Sequence, residues 1–136
     1  ISDFPATDTL GHPKMLQMPH IGASTAEAEE NCAIMVADQL MAFLEHGNIR
    51  NSVNFPQIAL ARTTPVRLTI TNRNVPKVLN QITAIIAEHN INIVDMLNKS
   101  REDIAYNIID LEECPCDSSL AALRAIDEVI NLRVIS

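Results

Sequence analysis

The sequence predicts an α+β protein, and three observations support that class. Apolar and polar residues alternate in Val66–Ile70, which is typical of a strand with one solvent-exposed face. Apolar residues recur at intervals of three and four between Val75 and Ile86, which is typical of a helix with one buried face. From residue 66 onward, the patterns follow the order βαββαβ. Two helices on one face of a four-stranded antiparallel sheet make a ferredoxin-like fold.

Each element in this order has a local signal. Pro76 suits the start of the first helix because its φ angle is already fixed near the helical value. Asn90 can end that helix in the left-handed conformation, and Asp117 or Ser118 can cap the second helix. The remaining predicted elements are a strand at Ile91–Leu97, a charged turn at Lys99–Asp103, a strand at Ile104–Leu111 and a strand at Val129–Ile135.

The segment before residue 48 has the pattern of an α/β domain that has been cut short. Met15–Met18 is a short apolar run that predicts a buried strand. Ser24 with Glu27 forms a capping box, which predicts a long helix from Thr25 to about His46. Gly47 suits the left-handed end of that helix. We therefore predict three parts: the last strand and long helix of a truncated catalytic domain in residues 1–47, an extended linker in 48–64 and the ferredoxin-like domain in 65–136.

Composition excludes several classes of function. The 136 residues carry a formal net charge of −7, which disfavours nucleic acids and anionic membrane surfaces. No apolar run approaches the length of a membrane span. Three cysteines, an odd count without framework spacing, favour a reducing, cytoplasmic compartment. Cys114-Pro115-Cys116 has no second cluster of ligands, so we predict no metal site.

Two features of the predicted structure need a partner. The predicted helix from Thr25 to His46 carries an apolar stripe, so we expect it to pack on another chain or on upstream residues. The open edges of the predicted sheet favour a two-fold dimer that continues the sheet. The sequence therefore predicts a homo-oligomer.

A motif in the first segment resembles a known enzyme family. Pro19-His20-Ile21-Gly22-Ala23-Ser24-Thr25 is similar to the catalytic-histidine segment of the D-2-hydroxyacid dehydrogenases. The helix that follows, with Ser52-Val53-Asn54-Phe55-Pro56, narrows the resemblance to the D-3-phosphoglycerate dehydrogenases of L-serine biosynthesis. The segment from Val66 resembles their C-terminal ACT regulatory domain. The family uses NAD, and most of its NAD-binding domain would lie outside this chain, which has no G-x-G-x-x-G motif.

The resemblance implies roles for two residues of the first segment. His20 is the general base that takes the substrate hydroxyl proton, a role that suits an imidazole near neutral pH. Asp3 occupies the position of an Asp that contacts the nicotinamide carboxamide. From the residues alone, an ordinary histidine before a turn and an ordinary loop acid are alternatives. The family's carboxylate and arginine partners lie upstream, so the chain alone is expected to be inactive.

The resemblance also implies an effector site. In serine-inhibited members, L-serine binds between two ACT domains, at positions matched here by Asn72, Asn74 and Asn92. Asn72 stands where the family pattern has a histidine, and Lys77 stands where it has a glycine. A glycine leaves room for the ligand, whereas Lys77 either fills that space or supplies a point charge to a carboxylate. Effector binding would act through the 48–64 connection as a hinge. Three alternatives stay open: turn asparagines that only cap the backbone, a structural dimerisation module without ligand, and a stand-alone amino-acid-binding regulator.

Overall fold

The alternating and helical patterns after residue 65 form one antiparallel sheet with two helices. The structure, a computed structural model, describes residues 1–136. The regular elements are a 3-10 turn at Thr7–Thr9, α1 Ala26–His46, β1 Val66–Arg73, α2 Val78–Glu88, β2 Ile93–Arg101, β3 Ile104–Leu111, α3 Asp117–Arg124 and β4 Val129–Ile135. The strand order along the sheet is β2-β3-β1-β4, and every neighbouring pair is antiparallel. This is the predicted ferredoxin-like arrangement.

The main core lies between the sheet and the two helices that follow it. Leu68 and Ile70 of β1 are fully buried against the apolar face of α2. That face contributes residues at helical spacing, as the stripe predicts: Val78, Ile82 and Ile86. Asn90 has a φ of 55°, which confirms its predicted left-handed position after the helix.

The opposite face of the sheet is also covered, which corrects the prediction of a solvent-exposed face on β1. Arg67 and Thr69 are 0% and 3% exposed, although their side chains point away from the two helices. Residues 47–62, hereafter the strap, cross this face. Ile49 and Ile58 of the strap form a second apolar cluster with Tyr106. The alternation therefore marks two different buried environments.

The strap is folded on itself. Ile49 and Ile58 exchange two backbone hydrogen bonds, of 2.8 and 3.1 Å, in an isolated antiparallel bridge. The Asn48 side chain accepts a hydrogen bond of 3.0 Å from the Leu60 backbone N–H. Compact packing begins at Asp38 rather than at residue 65, because residues 38–136 form one unit and residues 1–37 another. The sequence-based division at 48 and 65 stays a prediction.

Two further predicted features need correction. The charged turn at Lys99–Asp103 is shorter, because β2 continues to Arg101 in register with β3. Met15–Met18 is not a buried strand, since its one bridge joins Gln17 to Ser2 and the apolar residues around it stay partly exposed. A strand is buried only when neighbours cover it, and residues 1–37 supply a single paired residue.

The long helix α1 has the predicted length but a different cap. The Thr25 hydroxyl, not that of Ser24, accepts a hydrogen bond of 3.1 Å from the Ala28 N–H. Gly47 has a φ of 69° and ends the helix as predicted. None of the helix residues is buried, and most apolar residues of the stripe are exposed, whereas Phe43 near its end is half-buried. The expected partner for this stripe stays a prediction. No helix of the structure is long and apolar enough to span a membrane.

Candidate functional site

The structure brings the two candidate catalytic segments together at one end of the chain. The Ser2 N–H donates to the Leu16 carbonyl at 3.0 Å, and the Met18 N–H donates to the Ser2 carbonyl at 3.1 Å. The Phe4 ring meets the His20 ring edge-on, with centroids 5.7 Å apart. Asp3 lies between Ser2 and Phe4, so its exposed carboxylate is on the segment that contacts His20.

This arrangement leaves the candidate base accessible. His20 is exposed, so its imidazole can reach a substrate hydroxyl without any rearrangement of a core. Asp3 is exposed as well, and a carboxylate can accept hydrogen bonds from a carboxamide such as that of nicotinamide. An accessible imidazole and an accessible carboxylate have the donor and acceptor chemistry that contact with a nicotinamide and a hydroxyl would need. The chain has three glycines, widely spaced, and no glycine-rich loop to hold the phosphates.

Asn72 belongs to a row of asparagines that crosses three strands, in which Asn72 and Asn107 are buried and Asn98 is exposed. Its side-chain carbonyl accepts a 2.7 Å hydrogen bond from Asn107, whose own carbonyl accepts one of 2.6 Å from Asn98. Asn72 also donates to the Arg73 carbonyl at 2.7 Å. Asn107 is fully buried and donates to the Ile70 carbonyl at 3.1 Å. The amide groups of Asn72 are therefore already engaged within the sheet.

Asn107 and Asn98 were not predicted from the sequence as members of a polar site. The available signal was an asparagine within the apolar run of β3, where a strand otherwise contains residues that suit a core. The partner Asn98 follows only from the register of β2 on β3, which pairs the two residues. A single sequence does not specify that register.

Asn74 joins two loops at the same end of the sheet. Its side-chain amide donates to the Glu102 carbonyl at 3.0 Å, and its backbone N–H donates to the Asp103 carbonyl at 2.8 Å. The connection after β1 is therefore fixed to the turn between β2 and β3. Asn74 itself is exposed, so its amide remains accessible from solvent.

Asn92 lies at the other end of the sheet. The register places Arg73 beside Ile104 at one end, whereas Ile93 pairs with Leu111 at the other. Asn92 precedes Ile93 and donates a 3.1 Å hydrogen bond to the Glu112 carboxylate. One chain therefore brings Asn72 and Asn74 together but leaves Asn92 at a separate place.

Lys77 adopts a conformation that explains why a glycine suits this position. Its φ is 77°, in the left-handed region where a Cβ atom is strained. We expect Lys77→Gly to raise the free energy of unfolding by about 0.5–1 kcal/mol, because relief of about 1–2 kcal/mol of strain is partly offset by the greater entropy of unfolded glycine. Urea denaturation measures the change. Lys77→Ala is the control and should bring no gain, since alanine keeps the Cβ atom.

The sequence gives no signal for the buried ion pair on the strap side of the sheet. The Arg67 guanidinium donates to both oxygens of Asp110, with distances of 2.5 Å from Nε and 2.8 Å from Nη2. Burial alone would raise the pKa of Asp110. Hydrogen bonds from Arg67, and from the backbone and hydroxyl of Thr63, outweigh that effect and hold this pKa below its usual value.

The Cys114-Pro115-Cys116 motif places one thiol at the start of α3. The Cys116 sulfur lies 3.0 Å from the Ser118 hydroxyl and is exposed. Hydrogen bonds from Ser118 and Ser119 lower the pKa of Cys116 to about 7. The structure places no group of three or more His, Cys, Asp or Glu residues where they could hold a metal ion.

Cys116 is therefore expected to react with iodoacetamide several-fold faster at pH 7 than Cys32 or Cys114. All three thiols are exposed, so the contrast reports thiolate fraction rather than access. Mass spectrometry of partly alkylated protein across pH 6–10 should place the Cys116 midpoint near pH 7. Ser118→Ala should move that midpoint upward. Equal rates at the three cysteines would contradict the expectation.

Comparison with known proteins identifies the fold and then the wider relationship. Residues 66–131 match the family model of the ACT domain, so this part of the chain is an ACT domain. A solved ACT domain, that of the GTP pyrophosphokinase of Chlorobium tepidum, matches 51% of this chain and 94% of its own length with 18% identity and a TM-score of 0.45.

The chain as a whole is related to the D-3-phosphoglycerate dehydrogenases. It is 36% identical to that of Haemophilus influenzae over 118 residues, which are 86% of this chain and 29% of the relative. It is 34% identical to that of Escherichia coli over 123 residues, which are 89% of this chain and 30% of the relative. The resemblance predicted from the sequence is thereby confirmed. The chain spans about 30% of the length of these relatives.

Proposed function

We propose that this chain is the C-terminal part of a NAD-dependent D-3-phosphoglycerate dehydrogenase, which oxidises 3-phosphoglycerate to 3-phosphohydroxypyruvate. The similarity to enzymes of that name over 86–89% of the chain carries the proposal. The contact between the Phe4 and His20 rings supports it, because it joins the segments that bear the two candidate catalytic residues. The exposed apolar residues of α1 are consistent with a larger catalytic unit around this segment.

The chemistry of this chain centres on proton removal. NAD, when bound, supplies the acceptor for the hydride. His20 takes the proton of the substrate hydroxyl, and the exposed imidazole can then release it to solvent. Asp3 orients the nicotinamide by accepting a hydrogen bond from its carboxamide. The substrate's phosphate and carboxylate would be held by groups outside this chain, so the chain alone should show no dehydrogenase activity.

The test uses the enzyme encoded by the complete gene. His20→Gln is expected to lower kcat with 3-phosphoglycerate and NAD by 10²–10⁴-fold, the usual range for loss of a general base. His12→Gln is the matched control, because His12 is another exposed histidine of the first 37 residues. Equal losses in both variants, or a complete protein without this activity, would overturn the proposal.

We further propose that the ACT domain pairs with a second copy and binds a small amino acid such as L-serine. Asn74 and Asn92 lie at opposite ends of the sheet, so a ligand that meets both must lie between two chains. Their exposed amides can bond the ammonium and carboxylate groups of an amino acid. Asn72, buried and engaged with Asn107 in the asparagine row, would position these groups rather than meet the ligand directly.

Titration calorimetry and sedimentation distinguish an amino-acid-binding dimer from a dimerisation module without ligand. We expect heat from L-serine or glycine at up to millimolar concentration, and a sedimentation coefficient of a dimer. Asn92→Ala should weaken binding at least tenfold, whereas Asn131→Ala, an exposed asparagine of β4, should not. Flat titrations of a dimeric protein would favour a dimerisation module without ligand. A monomer that binds amino acids would favour the stand-alone regulator.

A further inference from the structure

Side chains from all four strands hold the backbone of the strap and the end of α1. Arg67 of β1 donates to the carbonyls of His46 and Leu60 at 2.9 Å each and to that of Ala61 at 3.1 Å. The other donors and their acceptors are Lys99 of β2 to Gln57 at 3.1 Å, Arg101 of β2 to Ser52 at 3.3 Å, Tyr106 of β3 to Gly47 at 2.9 Å and Arg133 of β4 to Leu44 at 3.1 Å.

Arg67 occupies the centre of this arrangement. Its side chain is fully buried, and one guanidinium contacts the last carbonyl of α1, two carbonyls at the far end of the strap and the Asp110 carboxylate. Because a guanidinium is planar and its donors are fixed in direction, these acceptors are held in one relative geometry. The aromatic ring of Phe43 lies 4.6 Å from the Arg133 guanidinium, which adds a second contact at the end of α1.

Apolar burial fixes the same segment independently. Ile58 is 0% exposed and Ile49 is 7% exposed, and both pack against Tyr106 and Ile108 of β3. A flexible linker would expose its backbone to water and would lack such a cluster. Gly47, the only glycine of the strap, also packs closely, because a Cβ atom there would clash with the Thr69 side chain.

We propose that the strap is a rigid coupler between the ACT sheet and the end of α1, and that Arg67 is its positioning residue. When the sheet moves, the last turns of α1 then move with it as one rigid body. This replaces the hinge expected for residues 48–64. The inference concerns the chain itself and does not depend on NAD, on the substrate or on an amino-acid effector.

Distances between spin labels test the coupler directly. One label is placed at Glu45→Cys near the end of α1 and the other at Asn131→Cys on β4, both exposed sites. The exposed native cysteines are replaced by serine. A reference pair within the sheet uses Ser100→Cys with Asn131→Cys. The coupler predicts that the distance distribution across the strap is as narrow as that of the reference pair.

Variants test whether Arg67 is responsible for the narrow distance distribution across the strap. Arg67→Met should broaden the distribution across the strap at least twofold and leave the reference pair unchanged, whereas Arg124→Met on α3 should change neither. If Arg67→Met does not fold, Tyr106→Phe removes only the donor to Gly47 and should broaden the same distribution. A broad distribution across the strap in the unmodified background, or equal broadening in the reference pair, would overturn the proposal.

Discussion

Asp110→Asn is expected to lower the free energy of unfolding at pH 7 by about 3–5 kcal/mol, because it leaves the buried guanidinium of Arg67 without its counter-ion. Both side chains are 0% exposed, so water cannot replace the lost carboxylate. Urea denaturation followed by circular dichroism measures the change, and an unaltered slope would show that the same structure unfolds. The carbonyl groups around Arg67 still accept its other hydrogen bonds, so the variant should remain folded near neutral pH.

Asp103→Asn provides the matched control for this loss. Asp103 is an exposed acid in the turn after β2, and its substitution should change the stability by less than about 0.5 kcal/mol. A loss below about 1 kcal/mol in Asp110→Asn would contradict the buried ion pair. The double variant Arg67→Met with Asp110→Leu should recover part of the loss, because no unpaired charge remains.

Lowering the pH should remove the stabilising contribution of the Asp110 carboxylate in the unmodified protein as well. The pKa of Asp110 lies below its usual value in the folded state, so its ionised form stabilises the fold above about pH 4, where an unfolded aspartate is also ionised. That contribution disappears as the pH falls through the lowered pKa. Unfolding free energies measured between pH 5 and 2 should therefore fall less steeply for Asp110→Asn than for the unmodified protein.

Gly47→Ala is expected to destabilise the chain by about 2–5 kcal/mol, through two separate causes. A residue other than glycine at a φ of 69° is strained by about 1–2 kcal/mol. In addition, a Cβ atom at Gly47 would clash with Cγ2 of Thr69, which requires the strap or β1 to shift and adds about 1–3 kcal/mol. Chemical denaturation at neutral pH measures the sum.

Thr69→Ser separates the two causes, since it removes Cγ2 and keeps the hydroxyl. A double-mutant cycle of Gly47→Ala with Thr69→Ser should show a coupling energy of about 1 kcal/mol or more, which is the part due to the clash. The strain at φ remains in both backgrounds. Additive effects, with no coupling, would show that the strap does not approach β1 as closely as the structure indicates.

Local patterns predicted the elements but not their surroundings. The bounds of β3 and β4 agree with the sequence-based ranges because alternation and the flanking turns are local signals. The burial of Arg67 was missed because alternation distinguishes two faces but does not reveal that a distant segment covers the polar one. The prediction of a buried strand at Met15–Met18 was wrong for the converse reason, since an apolar run forms a buried strand only when neighbours pair with it.

The same distinction between local and long-range signals applies to the candidate site. Motif similarity named His20 and Asp3, and the structure adds that their segments lie side by side. The three asparagines were proposed from their match to family positions, but register decides that Asn72 is buried with Asn107 and that Asn92 lies elsewhere. Hydrogen bonds between strands depend on pairing over tens of residues, which a single sequence does not specify.

The coverage of both sheet faces limits how another molecule can approach the ACT domain. With helices on one side and the strap on the other, free main-chain N–H and C=O groups remain only along the outer margins of β2 and β4. Val94 and Ile130, exposed on those two strands, supply apolar contacts at these margins. An incoming strand can therefore lengthen the sheet sideways, whereas a layer stacked on top would first have to displace the strap or a helix.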